Sequence, residues 1–267
     1  MVSGFINSVA IISMIRILYG FFNPSIYSGV NYSLVLAIIG ILTSFEGIFL
    51  ILNQLTKKEN DEINIDSILM YSAIVNVGLT LTSLSFQGLL YNELTTNNIY
   101  LENIAYSYLQ MINLAATTVI LFTCKERISK WREDTNDLRK LQGVGKELPI
   151  TTLVFIIGLI SNVGLLPTFG GIIKFMLLTS LLQTEYLILS ILIIIVILML
   201  LICYLWIIKF ILFDKSQSGR IMTGSVGDDI TLSTFSSLII AIALIVFGLI
   251  PSLLANGIVT GIIQIFS

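Results

Sequence analysis

Long apolar stretches alternate with short polar segments along the whole chain. A transmembrane helix needs about 20 consecutive, mostly apolar residues, and several stretches have this length and composition. They predict seven membrane-spanning helices, at residues 5–22, 32–54, 66–90, 102–124, 150–183, 187–213 and 231–257. No segment between them is long and polar enough to form a soluble domain. We therefore expect residues 1–267 to form one all-α, polytopic transmembrane bundle of about seven spans.

The fifth stretch is longer than a straight crossing needs, and helix-breaking residues lie in its middle. Its central sequence, SNVGLLPTFGGIIKF at 161–175, contains one proline and three glycines. Proline removes a backbone donor and clashes with the preceding turn, and glycine tolerates an unwound backbone. We therefore expect a discontinuous helix that crosses the membrane once in two pieces, with its break at residues 164–171. The residues predicted to form this break are Gly164, Pro167, Gly170 and Gly171.

The lysines and arginines of the connecting segments lie on one face of the predicted bundle. Eleven of them are in the segments at 55–65, 125–149 and 214–230. The segments on the other face, and the C-terminal tail, hold none; these segments are 23–31, 91–101 and 184–186. Because basic loops stay in the cytoplasm or the matrix, we expect the N-terminus on that side and the C-terminus on the opposite side.

Composition supports a membrane protein and narrows its chemistry. The chain is 56% hydrophobic and 11% charged, with a mean hydropathy of +0.97, well beyond an ordinary soluble domain. It has no histidine, and its two cysteines, Cys124 and Cys203, lie far apart without a CxxC signature. We expect no disulfide, no metal or other cofactor on this chain, and no nucleic-acid partner. The use of Ile, Leu, Phe, Tyr and Asn suggests an AT-rich genome, such as that of an organelle.

Three charged side chains fall well within the predicted spans, away from their ends: Arg16, Glu46 and Lys174. A charge at the centre of a membrane helix costs about 2.5–3.5 kcal/mol on insertion scales unless it faces protein or water, so each is a functional candidate. Arg16 lies close enough to the end of its span to snorkel or to pair structurally. Lys209 fits an anchor at the membrane interface. Glu46 is deeper, and it fits either a hydrogen-bonded structural carboxyl or a proton relay.

Lys174 differs from the other two because it follows the predicted helix break by three residues. Irregular backbone is tolerated at membrane depth only where it is buried in protein or lines a water-filled cavity. The lysine is therefore expected near water or near freed carbonyl groups. Burial favours the neutral amine over the ammonium, which suits a lysine that takes up and releases a proton. The alternative is a packing kink with a snorkelling lysine.

Polar residues form a stripe on the fourth predicted helix. Tyr106, Gln110, Asn113 and Thr117 recur at spacings of four, three and four residues, which places them on one helical face. Ser72 and Asn76 repeat a four-residue spacing on the third helix. Such stripes serve either as hydrogen-bonding contacts between helices or as the lining of a water wire.

From Asp137 onward, the sequence DLRKLQGVGKELPITTLVFIIGLISNVGLLPTFGGIIKFMLL resembles the loop and twelfth helix of the antiporter-like subunits of respiratory complex I. The family pattern is a G-x-x-K/R-x-x-P loop, then an apolar helix, then S-x-x-G-x-P-P-x-x-G-F-x-x-K-F/W. The matching residues are Gly143, Lys146, Pro149, Ser161, Gly164, Pro167, Gly170, Lys174 and Phe175. Leu166 departs from this pattern, because it stands where the family has the first of two prolines.

Upstream, EGIFLILNQ at 46–54 and ILMYSAIVNVG at 68–78 resemble two further helices of the same family. Three family features are changed. Asp66 and Ser67 stand in place of a basic pair, Asn76 stands in place of a histidine, and Asn7 falls near the position of a lysine of the eighth helix. The resemblance covers nearly the whole chain and is most specific over residues 143–175.

The resemblance implies a proton-translocating membrane-arm subunit of NADH:ubiquinone oxidoreductase without a redox centre of its own. Lys174 would carry the proton, with Glu46, Tyr106 and Asn113 as secondary relay candidates. Of the three antiporter-like subunits of the complex, which are subunits 2, 4 and 5, subunit 2 fits best. The family has about fourteen helices in two inverted repeats, and this chain resembles the second repeat.

The resemblance also implies partners and a location. Other membrane-arm subunits would surround the chain, including a separate chain that supplies the first half of the subunit, unless the subunit is shortened in this lineage. The protein would lie in the lipid bilayer of the mitochondrial inner membrane, with the N-terminus in the matrix and the C-terminus in the intermembrane space. Two alternatives remain open: a subunit of an Mrp-type cation/proton antiporter, and a structural module that does not conduct protons.

Overall fold

The computed structural model describes residues 13, 32–58, 61–91, 99–132, 134–182, 187–212 and 232–250. Helices account for most of these residues: α1 (Tyr32–Leu55), α2 (Ile65–Tyr91), α3 (Ile99–Trp131), α4 (Pro149–Val163), α5 (Phe169–Leu182), α6 (Leu187–Leu212) and α7 (Leu232–Leu249). A short 3-10 helix, Val144–Lys146, precedes α4. Within the described ranges, the β structure is limited to one isolated bridge between Asn64 and Asp137. The predicted all-α fold class is confirmed.

Five of these helices contain a segment long and apolar enough to cross a membrane: Leu34–Leu55, Ile65–Ser85, Tyr106–Trp131, Leu187–Leu212 and Leu232–Leu249. The apolar helix α4 and the apolar part of α5, Phe169–Thr179, are shorter than a crossing requires. The protein is therefore a multi-pass membrane protein. The first predicted span, residues 5–22 with Arg16, lies outside the described residues apart from Ser13.

The connecting segments at 55–65 and 132–149 meet at one end of the bundle. Arg139 donates hydrogen bonds to the carbonyl oxygens of Lys57, at 2.8 Å, and Asp61, at 3.3 Å. The backbone N–H of Leu138 donates to the carbonyl of Ile63 at 2.9 Å. Two of the predicted basic segments thus lie on the same side of the protein, while the compartment that this side faces remains a prediction.

Asp66, which departs from the family's basic pair, forms an ion pair at this end of the bundle. Its carboxylate lies 2.7 Å from Lys125 Nζ, and the two side chains are only 25% and 10% exposed. Lys125 also donates to the side-chain oxygen of Asn136. The acidic residue at position 66 therefore pairs with a lysine on α3. A basic residue at position 66 would instead face a like charge.

The apolar stretch at 150–183 contains two helices, because α4 ends at Val163 and α5 begins at Phe169. Gly164 ends α4 with a φ angle of 90°, a left-handed conformation that favours glycine. The non-helical segment is shorter than the expected break at 164–171, since Gly170 and Gly171 lie in the first turn of α5. These two glycines do not unwind the chain. They allow α5 to approach the backbone of Ser161 and of Leu165 closely.

Candidate functional site

The break between α4 and α5 frees carbonyl groups at the end of α4. In a continuous helix, the carbonyl of Val163 would accept a bond from the N–H of residue 167, but Pro167 has no N–H. Instead, Lys174 Nζ donates to the carbonyl oxygens of Asn162, at 2.7 Å, and Val163, at 2.9 Å. The break therefore creates a binding position for the lysine side chain, as well as bending the chain.

The Lys174 ammonium is buried and fully hydrogen-bonded. Its side chain comes from α5, the residue is 3% exposed, and Nζ also donates to Asn76 Oδ1 on α2, at 2.9 Å. The three acceptors match the three donors of an ammonium group. The C-terminal end of α4 adds a partial negative charge that favours a cation. In the described part of the chain, Lys174 has no carboxylate partner.

Asn76 lies at the centre of a polar network that joins four helices. Its side-chain nitrogen donates to the carbonyl of Ser72, at 3.0 Å, and to Asn162 Oδ1 on α4. Gln110 Nε2 on α3 donates to Asn76 Oδ1 at 3.1 Å. Asn162 in turn donates to Tyr204 on α6, at 2.9 Å. Side chains of α2, α3, α4 and α6 thus fix the position of the acceptors around Lys174.

Sequence reasoning identified Ser72, Asn76 and Gln110 as polar stripes but missed two members of this network. Asn162 lies within the SNVG segment that the family pattern covers, at a position that the pattern leaves variable. Tyr204 lies in an almost uniformly apolar helix, where no polar periodicity distinguishes it. Asn162 and Tyr204 meet their polar partners only through the packing of the helices, which the sequence does not give.

Asn113 does not contact Lys174 but joins α3 to the end of α4. Its side chain donates to the carbonyl of Ser161 at 3.3 Å and accepts from the Ser161 hydroxyl at 2.8 Å. The hydroxyl of Thr117 donates to the carbonyl of Asn113 within α3, at 2.8 Å. Asn113 thus forms a contact between helices and Thr117 a contact within α3, and the relay role of Asn113 stays a prediction.

A small cavity lies beside Lys174, between α2, α3, α5 and α6. It has a volume of about 10 Å³, and its polar lining comes from Ser83, Tyr106, Gln110 and Lys174. Gln110 Oε1 is buried nearby and has no hydrogen-bond partner among the described residues. Such a volume is close to the minimum for one water molecule, and an unpartnered buried oxygen is a suitable acceptor for it. Tyr106, one of the relay candidates, lines the same cavity as Lys174, and its relay role stays a prediction.

Glu46, the other relay candidate, lies away from this network. Its residue is exposed on α1, whereas the adjacent Gly47 and Ile48 are buried, with Gly47 packed against α2. No side chain in the described ranges bonds to its carboxyl group. Glu46 therefore lies on the outer surface of α1, and no contact in the described ranges connects it to Lys174. Its relay role stays a prediction.

Replacing Asn76 with leucine is expected to destabilise the bundle. The change removes one acceptor from the Lys174 ammonium, the acceptor of Gln110 Nε2, and the donor to Asn162 Oδ1 and the Ser72 carbonyl. A neutral hydrogen bond between membrane helices contributes about 0.6 kcal/mol on average, whereas a bond to a charged group contributes about 1.5–3 kcal/mol. We therefore expect a loss of about 2 kcal/mol or more, measured by thermal unfolding of the purified protein in detergent.

Thr80→Val is the matched control for this substitution. The Thr80 hydroxyl is also buried on α2, but it donates only to the Asn76 carbonyl within the same helix, at 2.7 Å. Its loss should lower the unfolding temperature much less. Equal shifts for the two variants would mean that the interhelical network does not stabilise the fold.

Comparison with known families decides what kind of protein carries this site. A sequence profile described as NADH:quinone oxidoreductase/Mrp antiporter, transmembrane, matches residues 1–201. The chain belongs to this family. The antiporter-like character that the residues around Lys174 suggested is therefore established.

Several curated proteins of the NADH:quinone oxidoreductase/Mrp antiporter family are similar to the chain. NADH-quinone oxidoreductase subunit N of Wolbachia sp. subsp. Brugia malayi is 25% identical over 159 residues, covering 60% of this chain and 31% of that protein. Subunit N of Orientia tsutsugamushi is 25% identical over 188 residues, covering 68% and 36%. Na(+)/H(+) antiporter subunit A1 of Staphylococcus epidermidis is 25% identical over 206 residues, covering 73% and 26%. The chain thus spans about a third of the length of these relatives.

Solved structures show the same fold. A chain of the Mrp complex from a Dietzia species superposes with a TM-score of 0.73 at 17% identity, covering 97% of this chain and 51% of that chain. A chain of the archaeal membrane-bound sulfane sulfur reductase gives 0.69 at 23% identity, covering 93% and 45%. A chain of respiratory complex I from Thermus thermophilus gives 0.56 at 16% identity, covering 83% and 44%. All three belong to multi-subunit membrane complexes.

Proposed function

We propose that the chain is part of an antiporter-like membrane-arm subunit of a respiratory NADH:quinone oxidoreductase, in which Lys174 carries a proton across the middle of the membrane. One observation carries this proposal: within the described ranges, the acceptors that hold the buried ammonium are all neutral, namely Asn76 Oδ1 and the carbonyls of Asn162 and Val163. A lysine paired with a buried carboxylate would leave an uncompensated anion when it lost its proton, at a high cost. Lys174 leaves only neutral dipoles, so both of its charge states are accommodated.

The arrangement suggests how a proton passes through the site. In the loaded state, the end of α4 and Asn76 stabilise the ammonium. In the discharged state, the proton passes to a water molecule in the cavity beside Gln110 and Tyr106. After that water passes the proton on, it donates a hydrogen bond to the neutral amine. A charge change in a neighbouring subunit would shift the balance between the two states. The chain itself needs no redox centre for this task.

The proposed assignment to antiporter-like subunit 2 is supported by the similarity to subunit N of two bacteria. In this proposal the described bundle corresponds to the second inverted repeat, and α4 and α5 form one crossing in two pieces. Other membrane-arm subunits surround it. The mitochondrial inner membrane remains a prediction from composition, whereas the named relatives are bacterial.

Two other functions are each favoured by a specific observation. The similarity to antiporter subunit A1 and to a chain of the Dietzia Mrp complex favours a subunit that exchanges cations for protons. A structural module that does not conduct protons is favoured by Asn76, which takes the place of the family's histidine in direct contact with Lys174.

Isolation of the native complex distinguishes the first two functions. The chain is tagged, extracted from its own membranes in mild detergent, and its partners are identified by mass spectrometry. We expect subunits of an NADH:quinone oxidoreductase, and we expect NADH oxidation to drive proton uptake when the complex is reconstituted in lipid vesicles. Co-purification with antiporter subunits alone, together with cation-dependent proton exchange, would contradict the proposal and support the Mrp function.

A further inference from the structure

The outer face of α1 is an exposed apolar surface with one acidic group in it. We define this face by Val35, Ile38, Ile39, Leu42, Glu46 and Phe49, which recur at helical spacing and are all exposed. Leu42 is 62% and Phe49 is 69% exposed. The opposite side of α1 is buried against α2. The outer face is thus a continuous stripe that no described part of the chain covers.

Glu46 lies near the middle of the membrane on this face. The apolar segment of α1 is Leu34–Leu55, so Glu46 is about 18 Å from one end and about 13 Å from the other at 1.5 Å per residue. Long lysine and arginine side chains reach the interface by snorkelling, but a glutamate side chain is too short to do so from this depth. Its carboxyl group therefore remains at the level of the hydrocarbon.

A polar side chain on the buried side of α1, in contrast to Glu46, has hydrogen-bond partners. The Ser44 hydroxyl lies 2.9 Å from the Gly40 carbonyl and 3.2 Å from the Val75 carbonyl on α2. Glu46 has no comparable partner within the described ranges, although it is far more polar. Lipid tails cannot supply one, and an isolated carboxylate in hydrocarbon is costly.

We propose that the outer face of α1 binds a transmembrane helix of another polypeptide, and that this helix carries a lysine or arginine at the depth of Glu46. Charge complementarity identifies the partner: in a low-dielectric interface, a basic side chain compensates the carboxylate far better than a neutral donor. The apolar residues on either side of Glu46 supply the packing surface for such a helix. The proposal rests on the proposed function only in expecting a multi-subunit complex, and it is independent of the role of Lys174.

Site-specific photo-crosslinking in the native complex tests the surface. A benzophenone amino acid replaces Leu42 or Phe49, with Ile239 on the exposed side of α7 as the control position. We expect both α1 positions to give an adduct with the same membrane polypeptide and Ile239 to give none with it. The peptide joined to α1 should contain a lysine or arginine within a transmembrane segment.

Charge variants test the role of Glu46 itself. We expect Glu46→Lys to lower the yield of the adduct at least tenfold and Glu46→Gln to lower it severalfold. Glu126→Gln is the control, because Glu126 is also an exposed α-helical glutamate but is already paired with Lys130 at 2.7 Å. Changing the identified basic residue of the partner to glutamate should restore the adduct in the Glu46→Lys background.

Three results would overturn this inference: adducts with lipid only, adducts only with residues 5–22 of the same chain, or an adduct whose yield Glu46→Lys leaves unchanged. Its failure is distinguishable from failure of the proposed function. If the adducts form but the complex contains no NADH:quinone oxidoreductase subunits, only the proposed function is wrong. If such a complex pumps protons but gives none of the adducts, only the docking surface is wrong.

Discussion

Replacing Lys174 with methionine is expected to abolish proton translocation through this subunit and so to lower the number of protons that the assembled complex moves per NADH oxidised. Methionine is unbranched and flexible enough to fill much of the same space, but it cannot carry a proton. Positioned proton-transfer groups contribute about 10²–10⁴-fold to the rates of the reactions they serve. We therefore expect the rate of proton transfer through this subunit to fall at least 100-fold. The measurement is the number of protons taken up per NADH oxidised, followed with a pH-sensitive dye in vesicles.

Two further variants serve as controls. One tests whether loss of any lysine disturbs the complex, and the other tests whether a fixed positive charge at position 174 is enough. Lys209→Met removes an exposed lysine near the end of α6 and should leave proton uptake unchanged. Lys174→Arg keeps a cation in the site, but arginine does not release its proton in proteins, so this variant should assemble without translocating protons. Normal pumping by either Lys174 variant would point to the structural, non-conducting alternative.

Replacing Gly170 with alanine is expected to prevent correct packing of α4 against α5. A Cβ atom at Gly170 would overlap the carbonyl oxygen of Ser161 and would lie 2.7 Å from Asn113 Nδ2. Overpacking of a core costs about 1–3 kcal/mol when side chains can move aside. Here the obstacle is backbone that also holds Asn113, so we expect a loss of about 3 kcal/mol or more. The measurement is the folded fraction of detergent-extracted protein by size-exclusion chromatography.

Gly158→Ala is the matched control, since Gly158 is also a buried glycine, on α4. A Cβ atom there would meet the ends of side chains, at 3.0 Å from Ile120 Cγ2 and 3.1 Å from Leu121 Cδ2. These groups can shift by the few tenths of an ångström required, and alanine is about 1 kcal/mol better than glycine in a helix. The control should therefore fold nearly normally. Equal losses for both variants would show that the clash with Ser161 is not the cause.

The sequence determined most of the helices directly, because a run of about 20 apolar residues is a strong local signal. The spans predicted at 32–54, 66–90 and 187–213 correspond to α1, α2 and α6 within one residue at each end. Helix α3, Ile99–Trp131, contains the span predicted at 102–124 and extends beyond it. Its last turns are polar, and contacts from elsewhere stabilise them: Asp66 pairs with Lys125, and Glu147 accepts from the Trp131 ring nitrogen at 2.7 Å.

The break between α4 and α5 was predictable in part. Pro167 cannot continue a helix, so it fixes the neighbourhood of the break from the sequence alone. Gly170 and Gly171 looked equally able to unwind the chain, but both are helical. Glycine permits either an irregular backbone or a close contact between helices, and only the position of Ser161 and Leu165 selects the second use.

The sequence also identified Lys174 and its contact Asn76 as candidates, because polar groups inside apolar spans are costly and therefore conspicuous. It did not determine which way each helix faces. In α6, apolar residues occupy every side, so its sequence does not distinguish Tyr204, which is 1% exposed and bonds to Asn162, from Trp206, which is 37% exposed. On α1 the same ambiguity left Glu46 as a candidate for the interior. Helical periodicity fixes the angle between residues of one helix, whereas only packing against neighbouring helices fixes the rotation of that helix in the bundle.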